Sequence, residues 1–519
     1  MNLPNAQTQQ FIREHREEDV RRLALQFSGK TDIDLTFALQ QIAGWQTART
    51  KLPLWAATDG IIFPPHLAME QCSSQEAGWY KQRICLYWGR EDFLKRREES
   101  GERRDLTPTL PQGNGDPNLK LGWWREERGE RFLKRREERG GRREVTSDSC
   151  EGVGNEEYLN NNCDSKNNVC EKEEIDKSCE RKVRSNQMYS LSSLPSPLST
   201  KEPSLPSPPS SLIDLTGGFG VDFSFLARAF QHAVYVERQE ELCEIARHNL
   251  PLLGVKADVV CADAVEMLMK SRDIDLIFVD PARRDAAGGR TYDLRDCTPD
   301  VTLLMPEMLK RARRVMLKLS PMLDYHKAID DINASAGMHK NVVETVHIVA
   351  VDNECKELLL IVSGENHDAP QLFCVNNGEV VEICDAERDV LLIDDMPIGG
   401  QYLYEPNAAI MKSGAFGWLS AKYDVRAIAQ NSHLFVSDDY RNDFPGRRFR
   451  IEKVCTMNKK ELRRALDGIK KANVSVRNFP LTAEQLRRKL NVSDGGTTYI
   501  FGTTHTNGTH LLLICTKEE

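Results

Sequence analysis

The chain has 519 residues, 40% of them hydrophobic, enough for several domains of ~100–200 residues each. Its formal net charge of -8 excludes a uniformly basic nucleic-acid binder, but residues 441–490 hold 15 Lys/Arg against 5 Asp/Glu. The 14 cysteines form no CxxC pair and no zinc-spaced Cys/His cluster, no apolar run is long enough to span a bilayer, and no signal-like core opens the chain, so a reduced, cytoplasmic protein without metal is expected.

Residues 1–88 read as helical: Leu23, Leu25, Phe27, Leu35, Leu39, Ile42 and Trp45 fall at near-helical intervals, and Gly60 and Pro64–Pro65 break the pattern. A further helix is expected over Gln75–Trp88. Residues 89–210 read as an insertion. FLKRREESGERR at Phe93–Arg104 returns as FLKRREERGGRR at Phe132–Arg143, two copies where a solenoid needs three or more. Acidic, Asn-rich sequence and then Ser/Pro-rich sequence follow. Such segments bury too little apolar surface to offset the entropy of ordering, so disorder is expected there, with the basic repeats as a solvated insert.

The texture changes after residue 211. Leu212–Leu215, Val234–Val236, Val259–Cys261, Ile274–Val279 and Val315–Leu319 read as buried strands, with helices between them over Asp222–Phe230, Gln239–Asn249 and Pro299–Arg311. This alternation predicts a parallel sheet with right-handed crossovers. Val342–Val351 and Leu358–Val362, separated only by Asp352–Glu357, predict a closing hairpin. From 366 onward the chain reads as α+β. Strands are expected at Leu372–Val375, Val390–Ile393, Leu434–Val436, Tyr499–Phe501 and Leu511–Cys515, and helices at Lys459–Lys471 and Thr482–Leu490, the latter opened by a Thr482-x-x-Gln485 capping box.

The densest motif is Asp214-Leu-Thr216-Gly217-Gly218-Phe-Gly220-Val-Asp222, at a strand-to-helix junction. Glycines there let the backbone turn sharply and approach a ligand. A dinucleotide fingerprint would need a further glycine where Phe223 stands. An acidic residue opening the loop suits the cationic methionine end of S-adenosylmethionine (SAM) better than a pyrophosphate. Glu237, ending the second strand, can accept from ribose hydroxyls. Asp263, followed by Ala264, can accept from an adenine amino group or simply cap a helix. Asp280-Pro281-Ala282-Arg283-Arg284 ends the fourth strand, where such sheets place substrate. Asp280 there can face either the acceptor or SAM, and Pro281 stiffens the loop. Arg283, Arg284, Arg290 and Arg295 either read phosphate or pair with Asp285, Asp293 and Asp296.

These motifs resemble those of class I SAM-dependent methyltransferases, and more narrowly bacterial members with a C-terminal THUMP-like domain. Met69–Ser74, Tyr80-Lys81 and Lys318-Leu-Ser-Pro321 resemble elements of that group, as do Tyr404-Glu-Pro-Asn407 with Asn431-Ser-His-Leu434 (its ferredoxin-like segment) and Asn473–Cys515 (its THUMP-like module). The resemblance implies an α/β fold with a Rossmann-like seven-stranded methyltransferase sheet over 211–365. An N-terminal helical region over 1–88, a ferredoxin-like α+β region over 366–443 and a THUMP-like domain over 444–519 would flank it. It implies SAM as cofactor, held by Asp214, Thr216, Gly217, Gly218, Gly220, Asp222, Glu237, Asp263, Ala264 and Asp280, with Asp280, Pro281 and Arg283 at the reacting end. It also implies RNA, tRNA or rRNA, as substrate, gripped by Arg447, Arg448, Arg450, Lys453, Arg463, Arg464 and Arg477. The fourth-strand motif is DPAR and lacks the aromatic that amino-group methylating enzymes stack on a flipped base. Cys297 and Cys355 sit in no nucleophile motif. A small-molecule or protein substrate, or a module that binds SAM without chemistry, stays open from the sequence.

Overall fold

The computed structural model describes residues 4–29, 32–99, 210–283, 294–337, 341–384, 386 and 388–518, with backbone alone over 89–99 and at 283. Apart from its two ends, the expected insertion lies outside the described residues.

Six helices open the chain: α1 Ala6–His15, α2 Val20–Gln26, α3 Leu35–Lys51, α4 Pro53–Ala56, α5 His66–Gln71 and α6 Gln75–Glu99. Asn5, Asp19 and Asp34 cap the first three by accepting the backbone N–H of Thr8, Arg22 and Phe37. Helix α6 runs through the expected boundary at 88, so that limit falls inside a helix.

The central sheet comprises β1 Ser211–Asp214, β2 His232–Glu237, β3 Asp258–Cys261, β4 Ile274–Val279, β5 Ala312–Leu319, β6 Val343–Val351, β7 Glu354–Ser363, β8 Gln371–Asn376 and β9 Glu379–Ile383. Its strand order is β9-β8-β6-β7-β5-β4-β1-β2-β3. Strands β1 to β5 are mutually parallel, and β7 enters antiparallel between β5 and β6. Helices α7 Val221–Leu226, α8 Glu240–Leu252, α9 Ala264–Lys270, α10 Val301–Arg311 and α11 Tyr325–Ser335 connect the strands. The sheet also reaches past 365, the limit read from the sequence: β8 pairs parallel with β6, and β9 folds back on β8. The apolar pattern of Leu372–Val375 marks a strand but not its partner, which is why the sequence assigned it to the next module.

Side-chain alternation divides the sheet into two apolar faces. One face, including Leu212, Tyr235, Phe278, Met316 and Ile361, packs on the N-terminal helices through Trp55, Phe63, Met69, Cys85 and Trp88. The other, including Ile213, Val236, Ile277, Val315 and Leu317, packs under α10 and α11 through Met305, Met308 and Ile332. That second core also takes in Ile410, Trp418 and Leu419, so the C-terminal part is docked on the sheet.

That C-terminal part is built on a second sheet: β10 Tyr402–Pro406, β11 Arg426–Ala427, β12 Phe435–Ser437, β13 Gly446–Thr456, β14 Asn473–Val476, β15 Thr498–Thr504 and β16 His510–Lys517. Its order, β11-β12-β10-β13-β16-β15-β14, runs unbroken across residue 444, because the long β13 pairs with β10 on one edge and β16 on the other. Four helices accompany it, α12 Ala408–Ser413, α13 Phe416–Tyr423, α14 Lys459–Ala465 and α15 Ala483–Leu490. Thr482 and Gln485 form the expected capping box. The helix expected over Lys459–Lys471 stops at Ala465, shortly before Gly468 takes a left-handed φ of 80°. The strand expected at Val390–Ile393 is reduced to one bridge between Leu392 and Ala427. Among the described residues, no helix is long and apolar enough to cross a membrane.

Trp55 is fully buried against the sheet, and its indole N–H donates to Ser224 Oγ at 3.3 Å. Trp55→Ala should therefore cost about 3–5 kcal/mol in urea unfolding. A loss below ~1 kcal/mol would show that the N-terminal helices are not part of the core of the central sheet.

Candidate active site

Strand β1 delivers Asp214 to the carboxyl edge of the sheet, and the chain turns there through residues 215–220. Gly218 and Gly220 occupy left-handed backbone, φ 55° and 75°. Gly217 lies flat on the Tyr235 ring, where a Cβ would come within 2.3 Å of a ring carbon. The Tyr235 hydroxyl donates to the Gly218 carbonyl, and Glu237 Oε2 accepts the Gly218 N–H at 3.1 Å while its Oε1 accepts the Gln239 N–H at 3.0 Å. The turn is thus fixed from below by the second strand. Thr216 Oγ1 accepts the Asp280 N–H at 2.7 Å, tying the turn to the end of β4.

Beneath the turn lies a buried ion network. Lys81, on α6, is wholly buried and contacts Asp222 Oδ1 at 2.9 Å and Glu357 Oε1 at 2.5 Å. Its ammonium also donates to Ser73 Oγ at 3.1 Å, and Ser73 stands within hydrogen-bond reach of Asp222 Oδ2 and Glu357 Oε2. Lys318, at the end of β5, spans Asp222 Oδ2 at 2.9 Å and Asp280 Oδ2 at 2.6 Å. Burial opposes the charge on both Lys318 and Asp222. Asp222, Asp280 and Glu357 nevertheless hold Lys318 well above its usual range, and Lys318 and Lys81 hold Asp222 below its own.

Among the described residues, Asp214 has no such counter-ion. Burial, reinforced by Asp222 and Asp280, pushes its carboxyl up to about 8 against the hydrogen bonds from Thr216. Two lysines therefore face Asp222, Glu357 and Asp280, with Asp214 in reserve. The edge has an anionic excess that a cation would complete, and the backbone above it has no side chain in the way at Gly217, Gly218 and Gly220. These residues fit a sulfonium nucleoside.

Asp263 Oδ1 accepts the N–H groups of Val265 and Glu266, so Asp263 caps α9 as its helix-cap reading allowed, at an exposed position beside Ala264. Pro281 is buried. The side chain of Arg283 and all of Arg284, Arg290, Asp285 and Asp293 fall outside the described residues. Arg295 approaches Asp331 at 3.9 Å. Cys297 is buried, and burial raises the Cys355 thiol, which donates to the Ala408 carbonyl. Of the expected RNA contacts, Arg447 and Arg477 both grip the buried carboxylate of Glu405, so part of their charge holds β10, β13 and β14 together. Arg448 and Arg450 lie 5.9 Å over the rings of Tyr440 and Tyr402. Lys453 donates to the Ala465 carbonyl at 3.4 Å, and Arg463 and Arg464 end α14. Ser73, Lys81 and Lys318 carried no expected role, and Glu357 went unnoticed because its signal is an acid at a buried strand position.

Two family models match the C-terminal part: a ferredoxin-like domain over residues 402–445 and a THUMP domain-like module over 446–517. An uncharacterized SAM-dependent methyltransferase of Mycobacterium tuberculosis, present in two strains, is 24% identical over 280 residues, which is 53% of this chain and 72% of the relative. Among solved structures, a protein from Porphyromonas gingivalis W83 described as a methyltransferase aligns over 100% of both chains with a TM-score of 0.65 and 23% identity. The chain therefore carries a ferredoxin-like domain and a THUMP domain-like module behind a sheet of the class I methyltransferase fold, and it is similar to SAM-dependent methyltransferases.

Lys81→Met removes one cation from a buried cluster and should destabilise the fold by about 3–5 kcal/mol in chemical denaturation. An unchanged midpoint would mean that the network is not formed. Asp214 gives a second expectation. Its folded pKa lies above the unfolded value, so it contributes stability at low pH that is lost as pH rises toward about 8. Between pH 5 and 8 the wild type should lose up to ~1.4 kcal/mol per pH unit relative to Asp214→Asn. Parallel pH profiles for the two proteins would contradict a protonated Asp214.

Proposed function

We propose that this methyltransferase acts on RNA, moving the methyl group of SAM to a nucleotide. The observation that carries the reading is the pairing of two oppositely charged regions in one chain. One is the anionic, glycine-turned edge around Asp214, Asp222 and Asp280. The other is the basic stretch of 441–490, which spans the end of the ferredoxin-like domain and much of the THUMP-like module.

The cofactor supplies an electrophilic methyl group on a sulfonium. The protein's work is then positioning and exclusion of water more than proton chemistry. Asp214, with Thr216 and the backbone of Gly217, Gly218 and Gly220, would take the methionine end, while Asp222 is neutralised from below by Lys81 and Lys318. Glu237 would accept from the ribose, and Asp263 beside Ala264 would border the adenine. Asp280, oriented by Lys318 and backed by Pro281, would accept a hydrogen bond from the incoming nucleophile, and Arg283 of the same segment is the cation proposed for the acceptor side.

On the RNA side, Arg448 and Arg450 carry the reading best. They stand on neighbouring outward positions of β13, each over a tyrosine, the arrangement that suits phosphate contacts beside stacked bases. Lys453, Arg463 and Arg464 would extend the basic surface, and Arg447 and Arg477 would add what charge Glu405 leaves them.

The test is incubation of the purified protein with methyl-labelled SAM and total bacterial RNA, followed by nucleoside mass spectrometry. Label in a nucleoside is expected. Label only in protein or in small molecules would replace the RNA reading with one of its rivals. In parallel, the Arg448→Ala/Arg450→Ala double variant should bind RNA more weakly and with a salt slope lower by ~2. An unchanged slope would remove these two residues from the interface.

A further inference from the structure

Glu240 and Cys243 stand three residues apart near the start of α8, on one helix face. Cys261 is the last residue of β3, and the β2–β3 ladder places it opposite Glu237. The three side chains converge: the two sulfurs and a Glu240 carboxylate oxygen all lie within 4.8 Å of one another. Cys243 forms a buried floor, while Cys261 and Glu240 are exposed, so the cluster has an open side. Arg247 holds the Glu240 carboxylate at 2.7 Å. The Cys243 thiol points at the Glu237 carbonyl, 3.3 Å away, and that carbonyl also receives the Ala262 N–H.

We propose that Glu240, Cys243 and Cys261 form a site for a thiophilic divalent cation, zinc being the best match to the donors. Two sulfurs and one carboxylate are the soft and borderline ligands that zinc takes, at ~2.3 Å and ~2.0–2.2 Å, with water completing a tetrahedron. Binding forms two metal–thiolate bonds and one metal–carboxylate bond and releases the two thiol protons to solvent. No electrons move. Arg247 orients the carboxylate from outside the ligand set, and the Glu237 carbonyl keeps a donor in Ala262 when the Cys243 proton leaves. Such an ion would clasp the first turns of α8 to the end of β3, two residues before Asp263. The proposal stands whether or not the substrate is RNA, since it draws on none of the basic residues.

The test is a cobalt titration of the reduced, full-length protein. One equivalent of Co2+ should give a thiolate-to-cobalt charge-transfer band that Zn2+ bleaches. Cys261→Ser should abolish this band, and Glu240→Gln should weaken cobalt binding by at least ~10-fold. Both residues are exposed, so both variants should keep the wild-type circular dichroism. A readout on the unmutated protein stands beside them: Zn2+ should protect Cys243 and Cys261 together from alkylation, with the chain's other cysteines as internal controls. Absence of a band, a band untouched by Cys261→Ser, or alkylation of Cys261 unchanged by Zn2+ would each overturn the site.

Discussion

A lysine with no solvent contact holds together the ion cluster beneath this candidate site. Lys81 sits between Asp222 and Glu357, and through Asp222 it reaches Lys318 and Asp280. Isolated ions in such a place are prohibitively costly, and the cluster is tolerable only when every member has its partners. Those partners come from all along the chain: the α5–α6 connection and α6 give Ser73 and Lys81, α7 gives Asp222, the end of β4 gives Asp280, β5 gives Lys318, and the hairpin strand β7 gives Glu357. The N-terminal part is therefore built into the ion cluster that lies beneath the glycine turn.

The same electrostatics explain the choice of ligand. Lysines neutralise the lower carboxylates, whereas Asp214 is buried with no counter-ion among the described residues, and burial pushes its carboxyl up to about 8. A ligand bringing its own positive charge to this edge supplies what the protein withholds. A pyrophosphate would meet carboxylates instead. Charge is segregated in the opposite sense at the other end of the chain, where Arg448 and Arg450 crown a strand whose inward residues, Phe449 and Ile451, are buried.

Much of the catalytic fold was legible because parallel, doubly covered strands write themselves as short apolar runs. β1 to β5 and the β6–β7 hairpin stand where those runs predicted them. The glycine turn was legible for a related reason: Asp214 to Asp222 holds three glycines and two carboxylates in nine consecutive residues. What the sequence hid were partnerships. Leu372–Val375 was visible as a strand, but nothing in it names β6 as its neighbour. Ser73 meets Glu357 across 284 positions, and a lysine in an amphipathic helix looks like a solvated residue until its carboxylates are found around it. Cys243 and Cys261 are far apart along the chain, and only a helix face and a strand end bring the two thiols together. Asp263 shows the limit from the other side: an aspartate before a helix caps it whatever else it does.

Calorimetric titration of the purified, full-length protein with SAM, and separately with its demethylated product, puts the central claim to the most direct test. One molecule of SAM should bind per chain, with proton release near pH 7 as Asp214 ionises, and Asp214→Asn should lose that release. If neither compound binds the folded protein, the glycine turn is only a structural bend and the catalytic reading of this edge is wrong.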